Sequence, residues 1–150
     1  FIEHIYDVMS VSAKERAQTL TMKCESDIPD VTADKEKLQQ VIINIVSNAI
    51  KYTPKGGNVA ITAKNSGEFF LISVSDNGIG IPKDDLPRIF ERFYRVEKSR
   101  TSDAGGTGLG LAIAKEIIDA HGGDIKIDSE IGRGTHVDVF IPYKTKLENV

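Results

Sequence analysis

Set at 100° per residue, residues 37–53 divide into an apolar and a polar arc, the pattern of a long helix that must lie on an apolar surface. Leu38, Val41, Ile42, Ile43, Ile45, Val46, Ala49 and Ile50 fill the first arc; Lys37, Gln40, Asn44, Ser47, Asn48 and Lys51 fill the second. Asp34 suits the N-cap, and Pro54 with Gly56-Gly57 stops the helix at about Thr53. The surface it needs comes from segments of period two. Leu20, Met22 and Cys24 alternate with Thr21, Lys23 and Glu25. Further strands are expected at Asn58–Lys64 and Phe69–Asp76, joined by a turn at Asn65-Ser66-Gly67, and at Asp124–Ser129 and Thr135–Tyr143. A second long helix should run from about Thr107 to His121 and end at Gly122-Gly123. A short helix is expected near Asp84–Phe93, and an amphipathic one over residues 1–18, where Ile2, Ile5, Val8, Met9, Ala13 and Ala17 fall near helical spacing. One apolar face per strand and one apolar stripe per long helix predict an α/β (α+β) fold: a two-layer sandwich whose mixed sheet is covered on one face by helices.

No repeat, low-complexity tract or linker divides residues 1–150, so they are expected to form one domain. The chain opens at Phe1 inside a helix-like run and without Met, which reads as a piece of a longer parent. A net charge of −3 argues against nucleic acid or an anionic membrane surface as the main partner, since both call for a basic face. There is no apolar run of the ~18 residues a membrane span needs, and no signal-peptide pattern. The single Cys24 cannot form an internal disulfide, which fits a reducing compartment; its alternation points it inward as a small core hydrophobe.

Three features carry chemistry. The polar arc of the 37–53 helix holds Asn44 and Asn48 one turn apart, with Lys51 a turn further on. It reads either as a solvated face or as a set of oxygen ligands; Asn is a poor helix former and makes no salt bridge, and amide oxygens suit a Mg²⁺ shared with phosphates. In Phe69–Asp76 the inward set Phe70, Ile72, Val74 continues onto Asp76, and a buried carboxylate is costly unless it meets donors. Asp76 leads into Asn77-Gly78-Ile79-Gly80-Ile81-Pro82: either a strand-ending turn, or an acceptor for a planar amine such as that of adenine with Ile79 and Ile81 as an apolar wall. Third, Gly105-Gly106-Thr107-Gly108-Leu109-Gly110-Leu111 runs into the second long helix: either a flexible loop that happens to end at a helix, or an anion site made by the free amides and dipole of the helix start. The polar Thr101–Gly105 before it rules out a Rossmann turn, and the lack of Gly-Lys-Ser/Thr rules out a Walker A loop. Arg95, Lys98 and Arg100 precede it on a stretch without apolar periodicity, a lid over phosphates or a solvated loop. His4, His121 and His136 lack metal-ligand spacing; His121 falls on an apolar arc as a satisfied structural imidazole, and His136 alternates outward.

In this order the motifs resemble the catalytic domain of bacterial sensor histidine kinases, in the superfamily of gyrase, Hsp90 and MutL, over almost the whole chain. Gln39–Pro54 looks like the N box, Asp76–Ile81 the first glycine box, Phe90–Tyr94 the F box, Gly106–Leu111 the second glycine box and Gly132–Thr135 a short third one. The phrasing around the F box is similar to that of phosphate- and cell-wall-sensing kinases of Gram-positive bacteria. The resemblance implies a Bergerat-type fold that binds ATP and Mg²⁺ and phosphorylates a histidine for two-component signalling. Asn48 would be the principal metal ligand with Asn44 beside it, Lys51 would lie near the phosphates and Tyr52 near the base or sugar. Asp76 would take the adenine amine, with Gly78 and Gly80 letting the backbone approach the ring beside Ile79 and Ile81. Phe90 and Phe93 would anchor the lid, Arg95, Lys98 and Arg100 would serve the phosphates, and Gly106, Thr107, Gly108, Leu109 and Gly110 would shape the loop, with Thr135 completing the nucleotide site.

The ATPases of the superfamily carry a water-activating Glu one turn before the metal-binding Asn. Here that position is Asn44, which is no base at neutral pH and favours a kinase over a hydrolase. No His-Glu-Leu-Arg-Thr-Pro-like segment is present, so the resemblance places the phosphoacceptor histidine and dimerisation helices of a homodimeric parent upstream of Phe1. It implies that domain and a cognate response regulator as partners, and a cytoplasmic domain without membrane contact of its own in a parent anchored in the bacterial membrane. An anti-sigma-type serine kinase and a non-catalytic ATP-binding module are the alternatives.

Overall fold

The computed structural model describes residues 1–94 and 110–143. Its elements are α1 (Ile2–Glu15), β1 (Thr19–Cys24), α2 (Lys35–Lys51), β2 (Asn58–Ser66), β3 (Phe69–Asp76), a 3-10 turn at Leu86–Arg88, α3 (Gly110–Ala120), β4 (Asp124–Glu130) and β5 (Gly134–Pro142). The strands form one sheet in the order β1-β2-β3-β5-β4; β1 lies parallel to β2 and the other neighbours are antiparallel. The sheet is mixed, as its pattern predicts, and the buried stripes of α1, α2 and α3 join one core with its inward residues. At the centre lie Val41, Ile42 and Val46 of α2, Ile61, Ile72 and Val139 of the sheet, and Ile118 of α3. Among the described residues no helix is long and apolar enough to cross a membrane.

Side chains fix both ends of α2. Asp34 is its N-cap, with Oδ1 accepting from Lys37 N at 3.1 Å. The Asp34 amide in turn donates to His121 Nε2 at 3.1 Å, while His121 Nδ1 donates to the Ile117 carbonyl at 2.8 Å. His121 is 1% exposed and is the satisfied imidazole its position in the apolar arc predicts. At the other end Gln18 Nε2 donates to the carbonyls of Ile50 and Thr53 at 2.8 and 2.6 Å, and Arg16 reaches Lys51 O at 3.1 Å. These bonds satisfy carbonyls that a helix end leaves free.

Four expectations need correction. α1 stops at Glu15, not residue 18, because Ala17 takes a positive φ of 52° that turns Gln18 under α2. Cys24 is exposed rather than inward: it ends an edge strand along which burial falls from Leu20 to Met22 to Cys24. The helix expected over Asp84–Phe93 is a single 3-10 turn in a series of i to i−3 bonds, with amides of Asp85, Arg88, Glu91 and Tyr94 each returning to the carbonyl three residues back. Pro87 accounts for it, since proline has no amide to donate and its ring clashes in a helix interior. The fourth concerns Phe93, which takes φ 65° and is 69% exposed, so it does not anchor this segment; Phe90, half-buried against the core, does.

Candidate nucleotide-binding site

Between the polar arc of α2, the end of the sheet and the segment after β3 lies a pocket of about 620 Å³, within the range of small-molecule sites. Asn44, Asn48, Lys51 and Tyr52 form the α2 wall, and Val74, Val137 and Ile127 an apolar floor. Asp76 and Thr135 stand at the end of the floor, Ile79, Gly80, Ile81 and Pro82 pass over it, and Gly110 with Leu111 brings in the start of α3. Ten of the residues named from sequence thus meet on one cavity: Asn44, Asn48, Lys51, Tyr52, Asp76, Ile79, Gly80, Ile81, Gly110 and Thr135. Arg95, Lys98, Arg100, Gly106, Thr107, Gly108 and Leu109 lie outside the described residues. Phe93 is not on the wall; its neighbour Tyr94 is.

Asp76 Oδ1 accepts from Gly78 N at 2.8 Å and from Thr135 N at 3.3 Å. Burial lifts this carboxyl above its ordinary value of 3.8, and the two amides, Gly78 before Thr135, oppose that rise. Among the described residues Oδ1 alone carries hydrogen bonds, which leaves the second oxygen as an acceptor at the pocket. Close backbone approach holds the group in place. A Cβ on Gly78 would stand 2.5 Å from Tyr52 O, and one on Gly134, whose φ is 115°, would stand 2.0 Å from Asp76 O.

On the α2 wall Asn44 Nδ2 donates to Gly110 O at 3.4 Å, tying α2 to the start of α3, and its amide oxygen has no hydrogen bond among the described residues. Asp76 is the one carboxylate among the described wall residues, and it is held by backbone amides, so no acidic cage for a bare cation exists there. Two neutral amide oxygens suit Mg²⁺ that arrives with phosphate oxygens in its shell, and Asn48 and Asn44 would hold it.

Several wall residues were assigned no role of their own from the sequence: Pro82, Ile89, Tyr94, Ile127, Ile131 and Gly132. Tyr94 was within the F-box pattern; its hydroxyl donates to Asp85, and the Arg88 guanidinium lies 4.5 Å from its ring centroid. Ile131 belongs to the β4–β5 turn, whose Gly132 amide donates to Ile79 O at 3.0 Å. Ile79 and Ile131, 44% and 48% exposed, form an apolar rim.

The profile of the histidine kinase-, DNA gyrase B- and HSP90-like ATPase family matches residues 33–145. Sensor histidine kinase WalK of Bacillus subtilis (strain 168) is 46% identical over 151 residues, which is 99% of this chain and 24% of the relative. The chain therefore spans about a quarter of the length of that curated relative. Among solved structures, the catalytic domain of histidine kinase ThkA superposes with a TM-score of 0.81 at 29% identity, covering 95% of this chain and 91% of that one. Full-length ShkA in complex with AMPPNP gives 0.83 at 33% identity, over 95% of this chain and 29% of ShkA. ThkA in complex with response regulator protein TrrA gives 0.78 at 27% identity, over 95% and 39%.

Proposed function

Since this chain belongs to the histidine kinase-, DNA gyrase B- and HSP90-like ATPase family, we propose that it is the catalytic part of a sensor histidine kinase, binding Mg-ATP and passing the γ-phosphoryl group to a histidine on the dimerisation domain of its own parent. The observation that carries this reading is the meeting of two chemistries on one pocket: an aligned carboxylate beside an apolar floor, and a pair of carboxamides with Lys51 on the α2 wall. Asp76 accepts the adenine amino group while Ile79 and Ile81 flank the ring. Asn48 and Asn44 hold the metal, which when bound neutralises charge on the phosphates. Lys51 and the α3 amides face the same region, and Arg95, Lys98 and Arg100 with the Gly106–Leu109 loop serve the phosphates. The bond from the γ-phosphorus to the bridging oxygen breaks, ADP keeps that electron pair, and a bond to the imidazole nitrogen forms. Such a transfer needs positioning and charge neutralisation more than covalent chemistry from the protein.

Asn44 cannot take a proton from water, and Asp76 is committed to adenine, so bound ATP waits for an imidazole rather than being hydrolysed. The AMPPNP complex of ShkA and the TrrA complex of ThkA support nucleotide binding and a response regulator as downstream partner. The parent is a homodimer anchored in the bacterial membrane, with this domain in the cytoplasm. Radiolabelled ATP, mixed with this chain and a separately supplied dimerisation domain, tests the reading. Acid-labile label on the added domain is the expected result. Acid-stable label on a partner's serine, or rapid phosphate release by the chain alone, would replace it with a serine kinase or an ATPase.

A further inference from the structure

At the pocket end of the sheet the register aligns Asp76, Thr135 and Ser129 across β3, β5 and β4. Further along the same inward face these strands carry Ile72, Val74, Val137, Val139, Ile125 and Ile127. Ser129 does not line the pocket and is 7% exposed, yet its hydroxyl has three partners. Ile81 N lies 2.7 Å from Ser129 Oγ, Gly134 O lies 3.0 Å away and Thr135 Oγ1 lies 2.8 Å away.

The proton count allows one arrangement. An amide can only donate and a carbonyl can only accept, so Oγ accepts from Ile81 and sends its single proton to Gly134 O. Thr135 must then donate its own hydroxyl proton to Ser129. With that proton committed, Thr135 shows the pocket lone pairs only, and the neighbouring Asp76 carboxylate is also an acceptor. We propose that Ser129 is a positioning residue that sets the hydrogen-bond polarity of this corner: by binding the Thr135 proton and the Ile81 amide, it makes the Asp76–Thr135 wall accept and not donate. Such a wall favours a ligand edge bearing an amino group over one bearing a carbonyl, because the carbonyl meets lone pairs directly or across a water. The inference rests on the purine-nucleotide reading given above.

The test is a ratio. The 150-residue chain is titrated, with Mg²⁺, against non-hydrolysable analogues of ATP and of GTP, and the two dissociation constants are compared. In Ser129→Ala the Thr135 proton is released to turn into the pocket, and the preference for adenine should fall about tenfold, the size of one hydrogen bond. In a Thr135→Val background no proton is left to redirect, so adding Ser129→Ala should move the ratio no further. A serine with only a structural role would lower the melting temperature and weaken both nucleotides alike. An unchanged ratio in Ser129→Ala, or the same shift with Thr135 absent, overturns the proposal. Should Ser129→Ala fail to fold, Thr135→Val and Thr135→Ser decide: the ratio should fall in the first and hold in the second, and an unchanged ratio in Thr135→Val sinks the idea. If the wild-type chain binds neither analogue, the nucleotide reading falls and this proposal with it.

Discussion

Replacing Asp76 with asparagine should separate binding from stability. Oδ1 of the carboxylate holds the amides of Gly78 and Thr135 at 2.8 and 3.3 Å, and an asparagine with its oxygen in that place keeps both bonds. Its nitrogen then stands where the second carboxylate oxygen stood. For the ligand this exchanges a charged acceptor for a donor facing the amino group of adenine. Loss of one charge-assisted hydrogen bond costs about 2–3 kcal/mol, which is roughly 30- to 150-fold in affinity. For the fold the change runs the other way. Burial raises the Asp76 carboxyl above 3.8, so the folded chain holds that proton more tightly than the unfolded one. The group's contribution to stability is then complete below its unfolded value and is lost as pH rises through its raised folded value. Asp76→Asn has no such loss, so its melting temperature should equal or exceed that of wild type at neutral pH, with the advantage shrinking as pH falls. Nucleotide affinity in the wild type should weaken on acidification at a higher pH than an ordinary aspartate would give. Titration calorimetry with a Mg²⁺-bound ATP analogue, alongside thermal unfolding across pH, reads both quantities. Wild-type affinity in the variant, or a fall in stability that accounts for the binding loss, would refute the assignment.

Asn48→Ala should reduce affinity for the Mg²⁺-bound analogue to the level the wild type shows in EDTA, and a surviving Mg²⁺ effect in calorimetry would move the metal elsewhere. Gly134→Ala places a Cβ 2.0 Å from Asp76 O at a φ of 115°; strain and overpacking should cost about 2–4 kcal/mol in denaturant unfolding, and a shift within error would mean that the β4–β5 turn is not packed as described. Gln18→Met removes two buried hydrogen bonds to Ile50 and Thr53, and should lower stability by about 2–3 kcal/mol, read as an unfolding midpoint; no change would show that the α2 end needs no clamp.

What was legible in the sequence was what depends on local period and on turn chemistry. The separated arcs of residues 37–53 gave α2 with its N-cap at Asp34, and alternation gave β3 with both of its ends, because Gly78 follows at once. Asp76 could be singled out as a polar residue where the alternation calls for an apolar one. The same rule marks Ser129, which continues the inward series Ile125, Ile127; that signal lay in the sequence, and only its proximity to Asp76 needed the sheet order β3-β5-β4. The end of α1, the exposure of Cys24 and the 3-10 path around Pro87 were not legible, since each is decided by what a distant element covers or demands. Phe93, which the F-box resemblance had as an anchor, faces outward because the backbone turns at it.

The pocket itself is held by bonds of a kind that periodicity does not encode. Gln18 reaches the α2 carboxyl end across 32 and 35 residues, His121 reaches its amino end across 87, and Ser129 reaches the glycine loop across 48. Each is a side chain satisfying backbone that a helix end or an irregular loop leaves open, and each acts on an element whose outer face lines the cavity. The glycines complete the arrangement by closeness as well as by dihedral freedom. A Cβ on Gly80 would stand 2.2 Å from Glu130 O, so the loop carrying Ile79 and Ile81 can lie directly on the β4–β5 turn only without a side chain there. Their number in the sequence announces a loop near a ligand, whereas the strand against which each must press is set by the register. The side chains proposed for the site are therefore few, while their alignment is a property of distant residues that do not line the pocket.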